Sequence, residues 1–170
     1  CNRLEKVTMH DGLLSIEARA FFGCRSLLNV ILPKTLKEIG DGAFSECKKI
    51  QDIDLPPEIT KVPKDVFSFC SGLERITMPD SVVSIGDHAF ALCQKLTSIK
   101  FPKMLNVGES YACCECKKIK EVFITPGATS IGQLAFARCA SLKQILIPES
   151  VQCIGNKAFD STNEIVVLGK

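Results

Sequence analysis

The chain has no tryptophan, one tyrosine and two histidines, His10 and His88. Neither histidine is placed to activate a cysteine or serine, so no nucleophile, base and orienter can be assembled, and the sequence points away from an enzyme. No apolar run approaches the roughly 18 residues of a membrane span, so no direct membrane insertion is expected. No stretch combines a charged start, an apolar middle and a small-residue cleavage site. Charge of neither sign dominates: 21 Lys and Arg stand against 19 Asp and Glu. The sequence therefore gives no electrostatic reason to expect nucleic acid as a partner. A glycine-rich phosphate loop is missing too, and no cofactor is expected. With no Asn-x-Ser/Thr sequon, N-glycosylation gives no clue to secretion.

What the chain does have is a period. Phe21, Phe44, Phe67, Phe90, Cys113, Phe136 and Phe159 follow one another every 23 residues, and three residues later come Cys24, Cys47, Cys70, Cys93, Cys116 and Cys139. Cys1 falls in the same phase. A constant period of this length is the mark of a solenoid whose turns stack on their neighbours. Residues 1–170 read as one solenoid of seven repeats, the first starting at Cys1, with a partial eighth from Thr162 that keeps Ile165 and Leu168 in phase. A chain that starts on a repeat boundary without Met and stops at Lys170, nine residues into the eighth repeat, is expected to be a fragment of a longer one. The first and last strands carry unpaired edges, so end-to-end self-association is possible.

Within each repeat the apolar spacing changes. Val30 and Leu32 are two apart, as in a half-buried strand, and Pro33 ends the run because it cannot donate to a ladder. Strands at one phase of successive turns pair in parallel, about 4.8 Å apart, and are expected to form one long sheet. Beyond the proline the spacing widens to three, which suits a short 3₁₀ or single helical turn on the opposite side. Gly40, Gly86, Gly132 and Gly155 share a slot that Glu17 and Pro63 also occupy, so these glycines serve close packing and not a left-handed backbone. The fifth repeat is irregular: Val107-Gly108 arrives one residue early, which predicts a local bulge, and Cys113 stands where the others have Phe.

Ten cysteines invite a chemical reading, yet the ladder slot has Leu or Ile three residues on, which makes it an interior slot for small buried thiols. In-register side chains point the same way, which disfavours disulfides. Cys113-Cys114-x-Cys116 lacks the second pair of ligands that zinc requires, so no metal is expected. Cys114 and Cys153 lie outside the ladder at variable phases, where exposure is expected. Asp52 and Asp54 face one way on a strand, but an open sheet offers no glycosidase cleft.

The phrase Met78-Pro79-Asp80-Ser81-Val82-Val83-Ser84-Ile85-Gly86-Asp87-His88-Ala89-Phe90, repeated along the chain, resembles the leucine-rich repeat in its BspA-like, 23-residue form. That resemblance implies an α/β solenoid, a right-handed superhelix with its parallel β-sheet on the concave side and short 3₁₀ or helical turns on the convex side. It also implies a cell-surface or extracellular protein with a part in adhesion or host interaction.

On each strand, residues two apart share a face, so the slots flanking the buried middle residue project outward. They are Lys6, Thr8, Asn29, Ile31, Asp52, Asp54, Arg75, Thr77, Ser98, Lys100, Glu121, Phe123, Gln144 and Leu146. These vary from turn to turn while the buried slots do not. The last ten, Asp52 to Leu146, form the expected ligand-binding face. Phe123 and Leu146 are its centre, an apolar pair in consecutive turns ringed by Arg75, Lys100 and Glu121. The expected function is noncatalytic binding of a protein or glycan ligand. A cytoplasmic scaffold for a signalling partner and a purely structural stalk are the alternatives.

Overall fold

The structure, a computed structural model, describes residues 1–102 and 110–162 and the backbone of 166–168. The expected bulge at Val107-Gly108 lies outside the described residues. Three-residue strands recur once per repeat: β1 (Lys6–Thr8), β3 (Asn29–Ile31), β5 (Asp52–Asp54), β7 (Arg75–Thr77), β9 (Ser98–Lys100), β10 (Glu121–Phe123), β12 (Gln144–Leu146) and β14 (Val166–Leu168). Their middle residues Val30, Ile53, Ile76, Ile99, Val122 and Ile145 are buried between exposed neighbours. A second row of two-residue strands follows the first within the repeats: β2 (Ser15–Ile16), β4 (Glu38–Ile39), β6 (Lys61–Val62), β8 (Ser84–Ile85), β11 (Ser130–Ile131) and β13 (Cys153–Ile154).

Every pairing is parallel, and residues one period apart lie side by side, as Val7 with Val30 and Val122 with Ile145. The last pairing departs from this. Ile145 lies beside Val167, so the eighth repeat runs one residue short and Val167, not Leu168, takes the phase of the middle slot.

The strand rows are not one continuous sheet. In the first row β1 pairs with β3, β5 with β7, and β9, β10, β12 and β14 form a four-stranded run, which leaves the ladder open between β3 and β5 and between β7 and β9. In the second row β4 and β6 are likewise unjoined.

The third side of each repeat differs from the 3₁₀ or helical segment expected there. No helix occurs among the described residues. The chain instead runs through successive β-turns, with two left-handed residues per repeat set four apart: Gly42 and Glu46, Asp65 and Phe69, His88 and Leu92, Tyr111 and Glu115, Leu134 and Arg138. A left-handed residue reverses the local curl, so no helical turn propagates. The Ala43 amide donates to the Gly40 carbonyl at 3.2 Å with Gly42 third in the turn, the place where a type II turn needs positive φ.

This turn strip carries its own ladder. Amides of Gly42, Phe44 and Glu46 donate to the carbonyls of Lys64, Val66 and Ser68 at 2.9, 3.0 and 2.9 Å. The same three bonds recur between later repeats, for example from His88, Phe90 and Leu92 to Ser110, Ala112 and Cys114. The donor is always in the earlier repeat. This strip stays joined at the two junctions where the first strand row opens.

Behind it lies the core. Phe21, Phe44, Phe67 and Phe90 stack nearly parallel with ring centroids 5.2 to 5.8 Å apart, and Phe136 stacks on Phe159. Such aromatic pairs contribute about 0.5–1.5 kcal/mol each beyond area burial. The stack is interrupted at Cys113, and there Phe101, from the slot after β9, sets its buried ring edge-on to Phe136 at 6.0 Å. An aromatic ring from another slot thus makes contact where the column lacks one.

The cysteine ladder has a polar reason as well as an apolar one. The thiols of Cys47, Cys70, Cys93, Cys116 and Cys139 donate to the carbonyls of the Phe-slot residues 26 positions earlier, Phe21, Phe44, Phe67, Phe90 and Cys113, at 3.1 to 3.2 Å. A buried hydroxymethyl or methyl group would lose either the packing or the bond. Burial pushes the Cys47 thiol up to about 12 and raises those of Cys70, Cys93 and Cys139 well above the usual thiol range. All ten cysteines are free thiols; Cys113 is buried with the ladder, Cys114 is half-buried, and Cys1 and Cys153 are exposed.

Candidate functional site

The first strand row fixes the outward residues in two columns, because a strand alternates sides and parallel register repeats every turn. One column runs Lys6, Asn29, Asp52, Arg75, Ser98, Glu121, Gln144; the other runs Thr8, Ile31, Asp54, Thr77, Lys100, Phe123, Leu146. All are exposed. The ten expected face residues thus occupy β5, β7, β9, β10 and β12 on one side of the stack.

Phe123 and Leu146 are register partners, half exposed at 50% and 49%. Lys100 pairs with Phe123 on the other side, so a cation and two apolar groups follow one another along one column. Glu121 flanks Phe123 on the same strand. Arg75 is not part of this group. It stands two strands away, beyond the open ladder between β7 and β9, with its guanidinium on Asp52 at 3.1 Å, Asp54 at 2.9 Å and the Thr77 hydroxyl at 2.9 Å.

That cluster answers the paired-carboxylate reading. Asp52 and Asp54 share one arginine, Arg75. The Thr77 hydroxyl first and the Arg75 guanidinium second hold the Asp54 carboxyl below its ordinary range. The sign follows: a lowered folded pKa gives a contribution present above the usual carboxylate range and lost as pH falls through the lower value. The groups are solvent-exposed, so the contribution is small.

The two openings in the first row form shallow clefts on this face. One, about 380 Å³, is lined by Lys6, Asn29, Ile31, Asp52 and Asp54; the other, about 330 Å³, by Arg75, Thr77, Asp80, Lys100 and Phe101. Ile31, at 76% the most exposed large apolar residue among those described, borders the first. Sequence pattern could assign Ile31 to the face but not foresee a cleft beside it, since nothing in the strand slots announces a missing ladder.

The remaining candidates are scattered. His10 bonds only its neighbour's carbonyl, Asp11 O, at 3.0 Å, and His88 stacks on Tyr111 at 4.7 Å on the turn strip. Among the described residues neither histidine hydrogen-bonds a thiol or a hydroxyl. Among the described residues no group of three or more His, Cys, Asp or Glu side chains is arranged to hold a metal ion.

A family model for the BspA type leucine rich repeat region matches residues 1–109 and 63–167. A crystal structure of a leucine-rich repeat protein from Bacteroides ovatus is similar at 28% identity and a TM-score of 0.84, over 94% of this chain and 43% of that one. A leucine rich cell surface protein from Faecalibacterium prausnitzii is similar at 25% identity and a TM-score of 0.64, over 90% of this chain and 51% of that one. The pneumococcal vaccine antigen PcpA shares the fold at 20% identity and a TM-score of 0.64, over 86% of this chain and 43% of that one. The chain thus spans about half or less of these solved proteins. A search of curated proteins found no match.

Proposed function

Because the chain belongs to the BspA-type leucine-rich repeat family, we propose that it is a noncatalytic binding module of a cell-surface or secreted protein, with a protein or glycan ligand held on the face of three-residue strands. The observation that carries this reading is the exposed pair Phe123 and Leu146, in register and next to Lys100. Strand middles are apolar because they pack; these two positions face water, where packing asks for nothing apolar. Aromatic and aliphatic groups on a rigid sheet, rimmed by charge, are the usual anchors of a contact site. The likeness to a cell-surface protein of Faecalibacterium prausnitzii supports the location.

The test is retention on immobilised extracellular-matrix proteins by the native chain and by Phe123→Asp combined with Leu146→Asp. Both side chains are surface groups, so the double variant keeps its melting temperature while retention falls about tenfold or more, the equivalent of losing one anchor contact. Retention equal to that of the native chain would remove this face from the proposal.

A further inference from the structure

A further opening lies on the other strand row, and one residue accounts for it. At three described junctions a glycine in the slot after the second strand seats one repeat on the next: the amides of Gly40, Gly86 and Gly155 donate to the carbonyls of Ile16, Val62 and Ile131 at 2.7 to 2.8 Å. The fit is tight enough that a Cβ at Gly40, Gly86 or Gly155 would lie 2.3 to 2.6 Å from the backbone of the preceding repeat. In the third repeat this slot is Pro63. Proline has no amide hydrogen to give Ile39 and has a ring where the others have nothing. At that junction, and at no other described junction of the row, β4 and β6 are unpaired.

The result is a groove of about 640 Å³ between the second and third repeats, within the usual range for a small-ligand site. Its walls hold hydrogen-bonding groups that other junctions use up. At the first junction Lys37 and Glu38 donate to the Leu14 carbonyl; at this one no bond joins Thr60 or Lys61 to Lys37, or any donor to the Ile39 carbonyl, among the described residues. Lys37, Lys61, Glu38, Asp41 and Glu58 line the groove, two cations against three anions, and none is in an ion pair among the described residues.

We propose that this groove is a second binding site, distinct from the strand face, and that its ligand is a neutral oligosaccharide. Interspersed donors and acceptors with almost balanced charge suit a ligand whose hydroxyls each donate and accept while carrying no net charge. A charged ligand of either sign meets groups of its own sign. A peptide adding to the edge would need a longer run than the two residues of β4 or β6, and pockets for its side chains, which the polar lining does not offer.

The experiment applies the native chain to an array of neutral di- to tetrasaccharides of hexose and N-acetylhexosamine units, with sialylated and sulfated oligosaccharides alongside, and measures each hit by titration calorimetry. Pro63→Gly, which restores the amide and removes the ring, closes the groove and weakens neutral-glycan binding about tenfold or more. Glu58→Ala combined with Lys61→Ala, both at exposed positions, weakens it without depending on how the glycine variant folds. Phe123→Asp with Leu146→Asp leaves it unchanged, so the two sites fail separately. No neutral glycan bound, binding confined to charged glycans or to peptides, or binding insensitive to both groove variants would each overturn the proposal.

Discussion

At the scale of single residues, one slot carries two duties. From Cys47 to Cys139 each ladder thiol fills core space and donates to a Phe-slot carbonyl 26 residues earlier, and its burial sets how the protein responds to alkali. The folded pKa of Cys47 lies near 12 against an ordinary 9.0, so the thiol form is favoured in the fold and its contribution is whole below pH 9. As pH rises from about 9 towards 12 the unfolded chain ionises first, and each such thiol removes about 1.4 kcal/mol of stability per pH unit. Urea midpoints measured from pH 8 to pH 11 should fall steeply, and a Cys47→Ala variant should fall less steeply while starting lower. A thiol reagent at neutral pH should label Cys1 and Cys153 at once, Cys114 more slowly, and the seven buried cysteines only on unfolding. The interior place of this slot was legible in the sequence, because Leu or Ile follows it three residues on in every repeat. The repair at Cys113 was not: Phe101 comes from a different slot and meets Phe136 in the next repeat, and no fixed spacing reports such a contact.

The two glycines of one turn show how elements differ in what they demand. Gly42 has φ of +62° with nothing closer than 3.5 Å to an added Cβ, so Gly42→Ala costs only backbone strain, about 1 kcal/mol. Gly40 has an ordinary φ, but its added Cβ would lie 2.3 Å from the Ala18 amide nitrogen, so Gly40→Ala must push two repeats apart and should cost about 3 kcal/mol or more. Chemical denaturation of the two variants measures the difference; equal costs would mean that the close approach is not what the slot protects. The close-packing role of this slot could be read from the sequence, since Pro63 ruled out a left-handed requirement. The left-handed columns two and six residues later could not. Asp65, His88, Tyr111 and Leu134 occupy one of them, and so mixed a column looks like variable surface. A spacing of three pointed to a helical turn for the same reason that it fits a row of β-turns: both bring every third residue back to the same side.

Seen as a whole molecule, the stack is held unevenly. Its turn strip is bonded through the junction between the second and third repeats, where both strand rows are open. Native-state hydrogen exchange should therefore find the Lys61 amide fast, the Gly86 amide slow, and the Gly42, Phe44 and Glu46 amides slow on the far side of the very junction where Lys61 is fast. Uniform protection across that junction would mean that the gap is closed in solution. Solenoid architecture and the outward columns were plain from the period alone, whereas the openings depend on a missing amide and a clash that only coordinates can weigh. The turn strip adds one more property. Because its amides always address the following repeat and its carbonyls the preceding one, the bonds of this strip run in one sense from the first repeat to the last, against the glycine amides of the second strand row, which address the repeat before them.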